Sequence, residues 1–197
     1  MPSVNRTIWN KFSIHRGDNL PISAFHGGRN KLPELFNELG YKRGAEIGVE
    51  QGIFSEVICK GIPGLKLICV DPWKAYNRIS QAMCDKYYQE TLERLKPYDV
   101  EYKRMTSVEA VKTVPDESLD FVYIDAMHEF DFVMMDILTW VPKVRVGGIV
   151  SGHDYTPSSV YCGVMAAVDT YTREHDIRKW YITMKDRGVP SFFWVKK

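Results

Sequence analysis

The 197-residue sequence lacks several features that would place it in a class at once. No apolar run approaches the roughly 20 residues that a membrane-spanning helix needs. Residues 1–18 lack the apolar core of a signal peptide. We therefore expect a cytoplasmic protein with no membrane partner.

The 26 basic and 25 acidic residues leave a formal net charge of only +1. Without a basic excess, no nucleic-acid partner is expected.

Two further kinds of motif are missing. The four cysteines lie far apart and form no Cys-x-x-Cys pair, so we interpret them as reduced thiols rather than metal ligands. The glycines at 48 and 52 have the spacing Gly-x-x-x-Gly. This spacing matches neither the dinucleotide motif Gly-x-Gly-x-x-Gly nor a P-loop, so no cradle for a pyrophosphate or triphosphate is predicted.

The sequence does contain a regular alternation of strand and helix patterns after residue 31. The predicted strands are 43–49, 65–71, 100–105, 118–125, 146–154, 178–185 and 190–197. The predicted helices are 31–41, 53–61, 79–95, 107–114, with Ser107 as the N-cap of the last, then 130–141 and 160–175. Alternation of this kind predicts an α/β fold. We expect a doubly wound, mostly parallel, seven-stranded Rossmann-like sheet that ends in an antiparallel C-terminal hairpin.

The expected domain organisation is simple. Residues 1–31 show no regular pattern and are interpreted as an N-terminal arm or cap. Residues 32–197, which contain the alternating strands and helices, are predicted to form the main domain. No internal repeat, linker or low-complexity segment interrupts it.

Polar residues stand where the predicted strands end, which is where open α/β sheets bind ligands. Asp71 ends the second strand and could accept hydrogen bonds from both ribose hydroxyls. Trp73 follows it and could stack on an adenine, although an Asp-Pro turn with a packed tryptophan explains the same residues. In "FVYIDAMHEF" (121–130), a buried strand runs into Asp125, and His128 follows on the next loop. His153 and Asp154 end the fifth strand.

These residues resemble the class I S-adenosylmethionine-dependent methyltransferases over about residues 32–197. The first-strand motif of that family, acid-x-Gly-x-x-x-Gly, is matched by Glu46, Gly48 and Gly52, and Glu50 stands where the family often has a further glycine. The resemblance implies S-adenosylmethionine as the cofactor. It places the methionine part against the glycine turn, the ribose at Asp71 and the adenine near residues 105–107. The cofactor-binding residues it predicts are Glu46, Gly48, Gln51, Gly52, Asp71, Trp73, Thr106, Ser107 and Asp125.

A narrower resemblance is to methyltransferase family 24, which is related to the catechol-type and macrocin-type O-methyltransferases. By that resemblance, Asp125, His153 and Asp154 would hold a divalent ion such as Mg or Mn. Asp125 and His128 would be catalytic, with His128 as the general base. Metal-dependent relatives usually have an acid or amide at the position of His153. The imidazole there would favour Mn, Fe or Zn over Mg, or would instead hydrogen-bond Asp154 or the substrate.

The predicted function is methyl transfer from S-adenosylmethionine to a hydroxyl of a small molecule of the sugar or natural-product type. The expected partner is this small-molecule acceptor, and a homodimer is left open. Two alternatives remain. His128, His153 and an aspartate could form the facial triad of an Fe(II) hydroxylase. The chain could also be a non-catalytic module of the same fold that only binds the cofactor.

Overall fold

A computed structural model describes residues 3–12, 14, 20–24, 28–77, 79–157, 163–183 and 189–197. The strands are β1 (Ile22–Ala24), β2 (Arg43–Ile47), β3 (Lys66–Val70), β4 (Asp99–Lys103), β5 (Leu119–Ile124), β6 (Val144–Gly152), β7 (Trp180–Thr183) and β8 (Phe192–Val195). The helices are α1 (Val4–Phe12), α2 (Lys31–Glu38), α3 (Ile53–Gly61), α4 (Gln81–Leu95), α5 (Ser107–Ala110), α6 (Phe130–Trp140) and α7 (Val164–Glu174). Short 3₁₀ helices follow α5 at Val111–Thr113 and α6 at Val141–Lys143. None of the helices in the described residues combines the length and apolar character needed to cross a bilayer.

The described strands form one sheet in the order β1-β7-β8-β6-β5-β2-β3-β4. β8 runs antiparallel to both β6 and β7, and the other neighbouring strands are parallel. This arrangement confirms the predicted doubly wound α/β class and the antiparallel pairing at the C-terminus. The predicted count of seven strands is one too low, because β1 adds an eighth strand beside β7. A three-residue strand is too short to show the alternation on which a strand prediction depends.

The segment predicted as an N-terminal arm packs onto the sheet in its described parts. Phe12 of α1 is fully buried, and its ring lies 5.6 Å from the ring of Phe193 on β8. The indole N–H of Trp9 donates to the hydroxyl of Tyr181 on β7 over 3.2 Å. The segment therefore shares the hydrophobic core of the rest of the chain, while the domain boundary at residue 31 stays a prediction.

The strand order reverses between β2 and β5. From β2 the chain continues through β3 to β4, and it then returns to the other side of β2 as β5. Successive residues of a strand point to opposite faces of the sheet, and both faces of this sheet are buried. On β5, Phe121 and Tyr123 belong to one core cluster, and Val122 and Ile124 belong to the other. The carboxyl ends of β2 and β5 therefore face the point where this type of fold binds its ligand.

Candidate active site

A cavity of about 520 Å³ opens past the carboxyl ends of β2, β3 and β5. Its wall contains most of the residues that the sequence predicted for a cofactor. Those residues are Glu46, Gly48, Gln51, Asp71, Thr106, Ser107 and Asp125. The predicted Gly52 and Trp73 are not part of the wall, and the predicted base His128 lines it as well. The positions came together because parallel strands bring their carboxyl ends to one edge of the sheet.

The turn between β2 and α3 needs glycine at two positions. Gly48 has a φ of +87°, and a Cβ added to it would lie 2.1 Å from the carbonyl oxygen of Asp125. Gly52 has a φ of +69° and is the N-cap residue of α3. A side chain at Gly48 would therefore push apart β2 and β5 at the point where the cavity forms.

Asp71 holds this turn in place from β3. Its Oδ2 accepts hydrogen bonds from the backbone N–H groups of Val49 at 3.1 Å and Glu50 at 2.9 Å. Its Oδ1 accepts from the backbone N–H of Trp73 at 2.7 Å. The carboxylate also lines the cavity, so the predicted contact with a ribose stays a prediction beside this structural role.

Trp73 lies under the turn rather than in the cavity wall. Its side chain is buried, and its indole N–H donates to the backbone carbonyl of Glu50 at 2.7 Å. Its ring packs against Tyr88, with the ring centroids 4.7 Å apart. The face expected to stack on an adenine is therefore already covered, and the aromatic side chain that lines this part of the wall is Tyr76.

Thr106 and Ser107 form the wall past β4. Thr106, not Ser107, is the N-cap residue of α5, in a reciprocal capping box with Glu109. The Ser107 hydroxyl instead donates to the carboxylate of Asp136 and accepts from the indole N–H of Trp140 at 2.8 Å. Burial raises the pKa of Asp136 to about 6, although the Ser107 hydrogen bond opposes the shift.

Glu46 is a buried acid at the end of β2. It is 1% exposed, and the hydroxyl of Ser55 donates to its Oε2. Burial, supported by the nearby Asp125 and Asp71 carboxylates, raises the pKa of Glu46 to about 8, against the Ser55 hydrogen bond and the charge of Arg29. The carboxyl group lines the cavity close to the glycine turn.

An acid and imidazole cluster lies at the other side of Gly48, where β5 and β6 end. His128 Nε2 lies 3.1 Å from Asp154 Oδ2 and 3.6 Å from Asp125 Oδ1. His153 Nδ1 lies 3.3 Å from Asp154 Oδ2 and 3.8 Å from Asp125 Oδ1. The structure therefore brings together all the residues predicted to be catalytic or metal-binding.

The charges in this cluster influence one another. The Asp125 carboxylate raises the pKa of His128, with support from the Asp154 carboxylate and against the effect of burial. Burial alone would raise the pKa of Asp154, but the hydrogen bond from His153 and the charges of His153 and His128 lower it overall. Asp154 also has a left-handed backbone conformation, with a φ of +57°.

The donor atoms of this cluster fit a divalent cation. One ligand atom each from Asp125, His128 and Asp154 lies within 4.8 Å of the others, and among the described residues these form a group with suitable spacing for an ion. Two carboxylates and an imidazole suit Mn, Fe or Zn better than Mg. The sequence predicted His153, rather than His128, as the nitrogen ligand. His153 Nδ1 lies near both carboxylates, and its role as a ligand stays a prediction.

Arg29 is a residue of the site that was not predicted from the sequence. Arg29, just before α2, lines the cavity, and its Nη1 lies 3.3 Å from Asp125 Oδ2. Its guanidinium lies over the ring of Phe54, 4.6 Å from the centroid. Arg29 stands in a segment without regular pattern, and 96 positions separate it from Asp125 in the sequence. No local signal connects the two.

The chain is similar to proteins of known and unknown function. It is 24% identical over 156 residues to the uncharacterized protein y4gI of Sinorhizobium fredii (strain NBRC 101917 / NGR234), a match that covers 74% of this chain and 15% of that protein. The chain thus corresponds to a small part of this much longer relative.

Solved structures share the fold at low sequence identity. The O-methyltransferase TomG of Streptomyces achromogenes, involved in tomaymycin synthesis and solved in complex with SAM, is 17% identical with a TM-score of 0.64. That match covers 98% of this chain and 89% of TomG. An O-methyltransferase of Bacillus cereus solved in complex with SAH is 13% identical, also with a TM-score of 0.64, and the match covers 98% of this chain and 90% of that one.

A family model gives the more specific result. The model described as "Methyltransferase domain", methyltransferase family 24, matches residues 45–155. This range begins within β2, includes the glycine turn, Asp71 and β5, and ends just after Asp154. The chain therefore belongs to the family 24 methyltransferase domains.

Proposed function

We propose that the protein transfers a methyl group from S-adenosylmethionine to a hydroxyl group of a small molecule of the sugar or natural-product type. Family membership supports methyl transfer. The observation that carries the finer proposal is the cluster of Asp125, His128, His153 and Asp154 at the edge of the cavity. Paired carboxylates and imidazoles suit deprotonation of a hydroxyl, which is a poor nucleophile at neutral pH.

The cofactor would occupy the cavity between the glycine turn and α5. Its volume of about 520 Å³ lies within the range of roughly 300–1,000 Å³ found for small-molecule sites. We assign the methionine part to the turn from Gly48 to Gly52, the ribose to Asp71 and the adenine to the wall at Thr106 and Ser107. This arrangement would direct the reactive methyl group towards Asp125 and His128.

His128 is the proposed general base. Its side chain is 43% exposed, so an acceptor bound at the open side can reach its imidazole. Asp125 and Asp154 both lie near Nε2 of this ring, at 3.6 and 3.1 Å. They would stabilise the imidazolium that forms when the proton is taken. Asp125 would also orient the acceptor hydroxyl, which must line up with the methyl carbon and sulfur.

A divalent ion would be held by Asp125 and Asp154 together with His153, which would leave His128 as the base. When bound, such an ion lowers the pKa of a coordinated hydroxyl. Asp125, His153 and Asp154 would then serve as the ligands, and His128 would take the proton of the hydroxyl. The Fe(II) hydroxylase alternative is not favoured, because the family match and the glycine turn have no purpose in that chemistry.

Binding of the cofactor product tests the proposal first. Calorimetry with S-adenosylhomocysteine should give saturable binding at one site. Gly48→Ala should weaken it, since the new Cβ would collide with the Asp125 carbonyl. A folded wild-type protein without measurable binding would refute both the enzyme and the cofactor-binding module.

Variants of the cluster test the chemistry once an acceptor is found by screening hydroxylated compounds with methyl-labelled S-adenosylmethionine. His128→Ala should lower turnover by roughly 100-fold or more and leave the affinity for S-adenosylhomocysteine unchanged. His175→Ala is the matched control, because His175 stacks on Tyr171 outside the cavity wall. Unchanged turnover in His128→Ala would remove the base from the mechanism.

Binding of Mn²⁺, measured by electron paramagnetic resonance, should be lost in Asp154→Ala. Turnover that survives both chelation and this substitution would exclude a role for the ion.

A further inference from the structure

Arg29 is a cation in the cavity wall that family membership does not explain, because the family match begins at residue 45. Its position is fixed on two sides. The guanidinium lies over the Phe54 ring, and Nη1 faces the Asp125 carboxylate. Stacking and ion pairing hold the planar group in one orientation before any ligand binds.

The charged groups of the wall are unevenly distributed. Among the described residues that line the cavity, the lysine and arginine side chains are Arg29 and Lys74. Lys74 lies at the adenine end, where its charge helps to lower the pKa of Glu109, the partner of Thr106 in the capping box. Arg29 is thus the permanent cation at the methionine end, on the side of Asp125 and Glu46.

Arg29 and Glu46 together offer a cation and a hydrogen-bonding carboxyl group at this end of the cavity. The two residues line the same cavity, and the charge of Arg29 acts to lower the pKa of the Glu46 carboxyl. The free amino-acid end of S-adenosylmethionine carries an ammonium and a carboxylate. A guanidinium has five N–H donors, which is more than its contact with Asp125 requires.

We propose that Arg29 binds the α-carboxylate of S-adenosylmethionine, with Glu46 facing the α-ammonium. The inference rests on the proposed function and deepens it, since it assigns a recognition residue that lies outside the family's matched segment. Two parallel N–H···O bonds from one guanidinium fit a carboxylate, whereas a lysine offers only a point charge. Arg29 would thereby select a cofactor that retains its amino-acid carboxylate.

Paired ligands separate this role from a purely structural one. Decarboxylated S-adenosylmethionine keeps the ammonium and the sulfonium and lacks only the carboxylate. Calorimetry without acceptor should show that wild-type protein binds S-adenosylmethionine at least tenfold more tightly than the decarboxylated compound. Arg29→Leu should lose about 10- to 100-fold in affinity for S-adenosylmethionine. Its affinity for the decarboxylated ligand, which carries an additional net positive charge, should stay unchanged or rise.

Control variants and alternative outcomes complete the experiment. Arg173→Leu removes an exposed arginine on α7 that pairs with Glu174, and it should change neither affinity. Arg29→Lys keeps the positive charge but lacks the two parallel N–H donors of the guanidinium. It should lose part of the preference for S-adenosylmethionine over the decarboxylated compound, which provides a test if Arg29→Leu does not fold. Equal losses for both ligands in Arg29→Leu, or equal wild-type affinities, would overturn the assignment while the proposed function stands. Binding of neither ligand by folded wild-type protein would overturn the proposed function itself.

Discussion

Gly48→Ala is the substitution for which the structure gives the most direct energetic estimate. The new methyl group would lie 2.1 Å from the Asp125 carbonyl oxygen and 2.7 Å from Ala126 Cα, both of which are backbone atoms. A backbone contact cannot be relieved by turning a side chain, so β2 and β5 must separate at their carboxyl ends. Overpacking of this kind costs roughly 1–3 kcal/mol, and the left-handed φ of +87° adds about 1–2 kcal/mol for an L-residue.

We therefore expect Gly48→Ala to lower the free energy of unfolding by about 2–5 kcal/mol, measured by equilibrium unfolding in urea. Gly64→Ala is the matched control. Gly64 has a similar φ of +73°, but no atom lies within 4 Å of the position its Cβ would take. Only the conformational cost of about 1 kcal/mol should remain there. If both variants were destabilised equally, the close contact between β2 and Asp125 would not be the reason for glycine at position 48.

Three other predictions concern groups that hold the cavity wall. Asp71→Asn should lower the free energy of unfolding by about 1–3 kcal/mol, because the substitution replaces one of the two oxygens that accept the amides of Val49, Glu50 and Trp73. Equilibrium unfolding in urea measures this loss, and a loss below about 0.5 kcal/mol would contradict the prediction. Trp73→Phe should cost about 0.5–1.5 kcal/mol through the lost hydrogen bond to Glu50, and weaker S-adenosylhomocysteine binding in calorimetry would show that the turn has loosened. For Glu46, burial raises the pKa from the ordinary 4.5 to about 8 in the folded protein, so the associated stability is complete below about pH 4.5 and is lost as the pH rises through about 8. Glu46→Gln should remove this decline, and parallel stability curves for wild type and variant between pH 5 and 9 would refute the buried-acid assignment.

Much of the fold was predictable because its signals are local. The strand that became β5 has apolar residues on both faces, and only a sheet covered by helices on both sides buries Phe121 and Val122 together. The polar residues that follow such strands must meet at one edge of a parallel sheet. This rule is sufficient to bring Asp71, Asp125 and Asp154 to one edge of the sheet.

What could not be predicted depends on contacts between distant segments. Trp73 was expected beside a ligand because it follows Asp71, yet the backbone at Trp73 is left-handed, with a φ of +41°, and the ring turns inward onto Tyr88. Arg29 gave no signal because its partners Phe54 and Asp125 belong to α3 and the end of β5. A sequence pattern describes which residues share a face of a strand or helix. The positions of Trp73 and Arg29 depend instead on contacts with other elements, which such a pattern does not describe.

The backbone conformation of the glycine turn gives Asp71 a structural role in addition to its predicted contact with the ribose. Glu50 and Trp73 are both non-glycine residues in left-handed conformations, with φ of +51° and +41°, and such conformations persist only where the surroundings hold them. Asp71 accepts the N–H groups of both residues, and the Trp73 indole closes the same link by donating to Glu50. The acid at the end of β3 therefore fixes the shape of the turn around Gly48 before any ligand binds. A carboxylate that both shapes the wall and lines it would present its remaining lone pairs in a fixed direction, which is what recognition of a ribose requires.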